Sequence, residues 1–197
     1  MALLDFLQSP PVTPVLVQDD VMLRFPVLED YQQWADLRGQ SRDMLELFEP
    51  DWGEDELSYQ NWRRRLKAFE KNYRQDLARP FYIFDREGET LRGVCVLSNI
   101  RRGAAMTATI GYWIGAPYLR KGYASAAVRA VLHYGFTSLD LQRVEAACQP
   151  ENKASQGVLE KCGFEREGYA KGYLHIYGKR RDHLLYAILR DDFLDRP

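Results

Sequence analysis

Apolar spacing changes along this chain, and each change predicts a different element. Apolar β-formers from Val15 to Val27 are interrupted by Gln18-Asp19-Asp20, which predicts a first strand carrying a kink or turn, with a helix from about Leu28. Tyr59, Trp62, Leu66, Phe69, Tyr73 and Leu77 recur at three- and four-residue steps while Arg63, Arg64, Arg65 and Lys67 fill the other faces. That is the pattern of a long amphipathic helix, closed before Pro80. Phe81 to Phe84, Leu91 to Ile100 and Met106 to Ile114 then read as strands of an antiparallel meander. Their separators, Arg86-Glu87-Gly88-Glu89 and Arg101-Arg102-Gly103, have turn chemistry.

After Gly122 the period returns to that of a helix, with Ala124, Ala127, Val128, Val131 and Leu132 on one face. A strand from Arg143 to Cys148 and a short helix from Asn152 follow, and Gly163 stands where a left-handed C-cap is wanted. Two last strands, near Phe164 to Tyr173 and His183 to Leu189, complete a mixed sheet with helices on it. Residues 1–14 are expected to be a loose N-terminal extension and residues 15–197 a single domain.

Composition narrows the class without choosing a chemistry. The 197 residues are 46% hydrophobic and 13% aromatic with a formal net charge of -1, the profile of an ordinary globular protein and not of a general nucleic-acid binder. Arg63 to Lys67 is read as a solvated helix face, with RNA touched only indirectly. Cys95, Cys148 and Cys162 show no metal-ligand spacing and sit in apolar runs, as small core residues do. No metal site is expected, no stretch has the length of a membrane span, and a reducing, cytoplasmic setting fits.

Chemistry enters with the segment Ile110 to Phe164. Here a strand runs through a loop containing Leu119, Arg120, Lys121 and Gly122 directly into a helix that begins with Tyr123 and Ala124. Backbone N–H groups at a helix start are unpaired and partially positive, so this loop can receive a pyrophosphate. Gly122 would let the backbone approach, Ala124 would keep the first turn narrow, and Arg120 and Lys121 add charge. A plain strand-turn-helix connection with two solvated basic residues satisfies the same pattern. The next stretch adds a second strand, then Asn152-x-x-Ser155 opening a helix, then Gly163-Phe164. Asn152 and Ser155 also suit a helix N-cap and its third residue, and the two roles are compatible.

Taken together, these motifs resemble the core of GNAT-superfamily acetyltransferases from about Val15 to Leu189. The loop of that family reads Gln/Arg-x-x-Gly-x-Gly/Ala; Gly122 and Ala124 fit it, and Leu119 takes the Gln/Arg place. The resemblance implies an α+β, α/β/α layered GNAT fold with a mixed, mostly antiparallel central sheet of about seven strands and about four helices. It implies acetyl-CoA as cosubstrate, bound by the loop, by Asn152, and by the strand ending Tyr112-Trp113-Ile114, which splays from its neighbour to pair with the pantetheine arm. It places an oxyanion donor at a backbone N–H near Ile114 and an acid for the leaving thiolate at Ser155.

Within the superfamily, Glu167-Gly168-Tyr169-Ala170-Lys171, Tyr173, Ile176, Gly178, Arg181-Asp182-His183, Phe48-x-Pro50 and Trp52 are similar to the Rim-type enzymes that acetylate ribosomal-protein N-terminal alanine. The expected acceptor is therefore a protein N-terminus, with a small-molecule amine as the alternative within the same chemistry. A non-catalytic acetyl-CoA-binding or assembly module is the alternative outside it. Glu145, Glu49, Glu151 and His175 each suit a general base acting through water, while His133 and His183 are read as packing or surface residues. No Ser/His/Asp arrangement for covalent catalysis is apparent, so direct transfer in a ternary complex is expected.

Overall fold

The computed structural model describes residues 13–195, so positions 1–12 of the expected extension lie outside the described residues. Within them one sheet of eight strands runs in the order β1-β2-β3-β4-β5-β6-β8-β7. The strands are β1 Leu16–Gln18, β2 Val21–Arg24, β3 Arg79–Asp85, β4 Leu91–Arg101, β5 Thr107–Ile114, β6 Arg143–Cys148, β7 Glu165–Ile176 and β8 Lys179–Leu189. Every neighbouring pair is antiparallel except β5 and β6. A parallel pair needs a crossover connection. Helix α4, Tyr123–Thr137, supplies it.

The helices are α1 Tyr31–Gln40, α2 Arg42–Leu45, α3 Tyr59–Arg74, α4, α5 Lys153–Cys162 and α6 Arg190–Leu194. They cover both faces of the sheet. On one face Val128, Val131, Leu132 and Phe136 of α4 and Leu159 of α5 are buried against Phe81, Cys95, Leu97, Ile110 and Val144. On the other, Trp34 of α1 and Trp62 of α3 meet with ring centroids 4.9 Å apart above Tyr82, Phe84 and Leu91.

Two departures from the predicted elements have local causes. The kinked first strand is a hairpin, because Asp19 takes a left-handed φ of 50° between β1 and β2, and this raises the expected seven strands to eight. The helices beyond the expected four are the four-residue α2 and the five-residue α6, too short to show a 3.6 period. Leu77 was expected on the long helix but follows it, since Asp76 turns left-handed at φ 57° and ends the helical path.

Candidate active site: a wedge between two parallel strands

Strands β5 and β6 pair only at Thr107 with Arg143, Ala108 with Val144 and Thr109 with Glu145. Both continue, β5 to Ile114 and β6 to Cys148, but they diverge. The opposite edge of β5 stays paired with β4 as far as Ile114 with Gly93. Gly115 N–H donates to the Arg92 carbonyl at 2.8 Å, so residues of its parity point their backbone groups at β4. Alternation along an antiparallel ladder then turns the backbone groups of Ile110, Tyr112 and Ile114 toward β6, where no strand stands opposite them. The splay implied by the family resemblance is present, and Ile114 N–H faces into it.

The loop beyond β5 ends at Gly122, whose φ of 83° is left-handed and favours glycine. Gly122 is the N-cap residue of α4 and no side chain caps that helix, which leaves its first N–H groups directed outward. Arg120 and Lys121 are exposed beside them, as is Leu119, and none of the three forms an ion pair among the described residues. Tyr123 and Ala124 are half-buried and pack on the core, which holds the first turn close to the sheet.

A cavity of about 140 Å³ fills the wedge, lined by Tyr112, Cys148, Asn152, Ser155, His183 and Phe48 among others. Asn152 caps α5 through its Oδ1, which accepts the Ser155 N–H at 3.0 Å. The Tyr112 hydroxyl donates to the Ser155 carbonyl at 3.2 Å and lies 3.1 Å from Ser155 Oγ. Burial pushes the Tyr112 phenol well above its ordinary value, against a smaller opposing effect of Ser155, so it stays protonated as a donor. Cys148 is also pushed up by burial, again opposed by Ser155. All three cysteines are buried in the core as expected, and Cys148 also lines the wedge.

On the other face of β5 a groove of about 540 Å³ runs past Pro50, Trp52, Phe69 and Trp113. Gly111 and Tyr112 line both spaces, and Gly111 has no side chain to close the passage between them. Trp113 therefore stands in the groove, so its side chain is on the opposite face from the wedge and only its backbone belongs to the splayed strand. Of the groove carboxylates, Asp51 is exposed at the rim, while Glu49 and Glu56 are matched inside it. Arg38 grips Glu49 with contacts of 3.2 and 2.7 Å and reaches Glu56 at 2.8 Å, Arg65 also bonds Glu56, and Trp52 Nε1 donates to Glu49 at 3.0 Å.

Of the base candidates read from the sequence, none lines the wedge. Glu49 carries those three bonds, Glu145 is ion-paired with Arg143 at 3.0 Å and Arg101 at 3.6 Å, and Glu151 and His175 are exposed elsewhere. His133 is on the surface of α4 and His183 is buried, and His183 also lines the wedge. Sequence reasoning also missed Gln149, whose Nε2 donates to the Leu47 carbonyl at 3.1 Å and anchors the Phe48 loop to the end of β6. The polar residue closing an apolar β6 pattern was the available signal.

Comparison with known proteins places these features. Residues 20–165 match the acetyltransferase (GNAT) domain family. The chain is 33% identical over 178 residues to the [Ribosomal protein uS5]-alanine N-acetyltransferase of Escherichia coli, covering 90% of this chain and 92% of that protein. It is 36% identical over 163 residues to the probable N-acetyltransferase YjcK of Bacillus subtilis, covering 83% and 90%. The solved structure of Mycobacterium smegmatis RimJ in complex with CoA-disulfide superposes with a TM-score of 0.87 at 33% identity, over 95% of this chain and 90% of that one.

Proposed function

The chain belongs to the GNAT acetyltransferase family, and from that premise we propose that it transfers the acetyl group of acetyl-CoA to the N-terminal α-amine of a protein, such as a ribosomal protein beginning with Ala or Ser. The observation that carries the choice of acceptor is the groove. It is open, walled by Trp52, Trp113 and Phe69; Glu49 and Glu56 inside it are neutralised by Arg38 and Arg65, and Asp51 is left exposed to solvent. A polyamine needs unspent negative charge in a deep pocket, whereas an extended peptide end needs length and apolar walls. The relation to the uS5-alanine enzyme supports the same reading.

Acetyl-CoA supplies the acetyl group as a thioester, and the chain's own residues divide the remaining work. The start of α4 with Arg120 and Lys121 suits a pyrophosphate, and the wedge-facing backbone of Tyr112 and Ile114 suits the amide-rich arm. Ile114 N–H is positioned for an oxygen that gains charge. The Ser155 hydroxyl, backed by Tyr112, is the donor for the departing sulfur. An α-amine, with a reference pKa of about 7.7 to 8.0 against about 10.4 for lysine, saves about 3.5 kcal/mol of deprotonation and fits a site poor in carboxylate bases. Direct transfer in a ternary complex, in a cytoplasmic setting, completes the reading. Among the described residues no helix is long and apolar enough to cross a membrane.

Acetyl transfer measured against short peptides beginning with Ala or Ser, beside a panel of small amines that includes a polyamine, tests the proposal. The expected result is turnover on the peptides with much weaker signal from the amines. Strong activity on one amine and none on any peptide overturns the acceptor class.

A further inference from the structure

Besides Ser155, three side chains lining the wedge carry a proton that chemistry could move: Tyr112, Cys148 and His183. Burial raises the first two away from neutrality. Imidazole is the side chain whose chemistry suits proton exchange near neutral pH. His183 is 4% exposed and sits on β8 opposite Ala170 of β7, next to Leu184, which pairs with Cys148 of β6. Its Nδ1 lies 3.1 Å from the Arg181 carbonyl oxygen, and the Tyr173 ring packs against it with centroids 5.5 Å apart. A carbonyl oxygen only accepts, so this contact selects the tautomer with the proton on Nδ1 and a lone pair on Nε2. No described residue hydrogen-bonds Nε2.

We propose that His183, through Nε2, takes the proton of the acceptor amine in the wedge, directly or through one water. The assignment rests on the acetyl-transfer reading above. The protons balance as follows. The ammonium sheds two protons over the reaction, one to His183 and one to water; its nitrogen forms the C–N bond as the C–S bond breaks. Sulfur leaves with the C–S electron pair and takes the Ser155 hydroxyl proton, which Ser155 regains from water, and His183 returns its proton to solvent before the next turnover, so one proton is released overall. Glu49 does not compete for the role, because it lines the groove and would have to release Arg38 and Trp52. The amine enters where groove and wedge meet, at Gly111 and Tyr112. The charged and titratable groups facing His183 are Tyr173 on β7, Arg181 and Asp182 beside it on β8, and Cys148 of β6 and Tyr112 of β5 in the same wedge.

The test pairs kinetics with a readout that needs no turnover. His183→Asn keeps an amide nitrogen in reach of the Arg181 carbonyl and removes Nε2, so a merely structural histidine is rescued by it, whereas a proton acceptor is not. The expected result is a fall in kcat of about 10²-fold near neutral pH, loss of the acidic limb of the kcat profile, and unchanged acetyl-CoA affinity by calorimetry. In the wild type that limb stays in place when acceptors of different amine basicity are exchanged. Nitrogen-15 NMR of the imidazoles in the ligand-free protein should show His183 protonated at Nδ1 and bare at Nε2, and this arm decides the matter if the variant does not fold. A proton on Nε2, or an acidic limb retained in His183→Asn, overturns the assignment while leaving the acetyl-transfer reading intact. Failure of the wild type on every acceptor overturns that reading instead.

Discussion

Ser155 is held by its backbone, which leaves its hydroxyl available for chemistry. Its N–H goes to Asn152 and its carbonyl takes the Tyr112 hydroxyl, so removing Oγ disturbs neither bond. Ser155→Ala should therefore lower kcat by about 10²-fold, the scale of a lost general acid, while acetyl-CoA binding and the melting temperature stay close to wild type. Stopped-time assays and thermal melts with and without acetyl-CoA check this; an unchanged kcat and pH profile would remove Ser155 from the chemistry. The Asn152-x-x-Ser155 spacing was legible because capping is a local affair between residues three apart. The Tyr112 contact was not, because the two partners are 43 positions apart in the chain. That the buried His183 also lines the wedge was hidden for the same reason: it shows only when β8 is laid beside β6.

At the scale of elements, the cofactor loop is fixed from outside itself. Ser41, at the end of α1, donates its hydroxyl to the Leu37 carbonyl at 2.7 Å and accepts the Ala116 N–H at 2.9 Å, joining α1 to the turn that leads from β5 into α4. Ser41 is 1% exposed, so no water can replace it readily. Ser41→Ala leaves the Ala116 N–H without its acceptor, at a cost of about 1–3 kcal/mol in a buried setting. Urea unfolding should show that loss together with a raised KM for acetyl-CoA, since the loop before Arg120 loses its tether. A stability loss within error and an unchanged KM would mean that the loop holds its own shape. Helices α3 and α4 were legible because each buries one face and repeats its apolar residues accordingly. The ties that aim the elements at one another, Ser41 to Ala116 and Gln149 to Leu47, leave no periodic trace, and the short α2 and α6 have too few residues to leave one.

For the whole molecule, the meander and a mixed sheet carrying helices could be read from the chain, while the layering and the separation of β5 from β6 came only by family likeness. Nothing in the residue pattern of Ile110 to Ile114 distinguishes a strand edge that bonds a neighbour from one that faces a cavity. What holds the sheet and its covering elements together electrostatically also lies beyond pattern, since the partners are far apart in sequence. Three depressed carboxylates mark such ties. Asp19, in the β1–β2 turn, is lowered by hydrogen bonds from Gln18 and from Arg129 of α4. Asp76, after α3, is lowered chiefly by its bond from Arg102 in the β4–β5 turn, and Glu167 of β7 by its bond from Arg143 of β6. A carboxyl group whose folded value lies below its unfolded one contributes stability that is fully present above the unfolded value and is lost as pH falls through the folded one. With unfolded values of about 3.9 for Asp and about 4.3 for Glu, these groups leave the melting temperature level through neutral and mildly acidic pH and depress it progressively below about pH 4. All three are substantially exposed, so solvent screens them and salt weakens the effect further. Melts across this range at low and high salt should show a decline that begins near the unfolded carboxylate values and is shallower in high salt. A decline that sets in well above pH 5, or one indifferent to salt, would assign the acid sensitivity to groups other than these three ties.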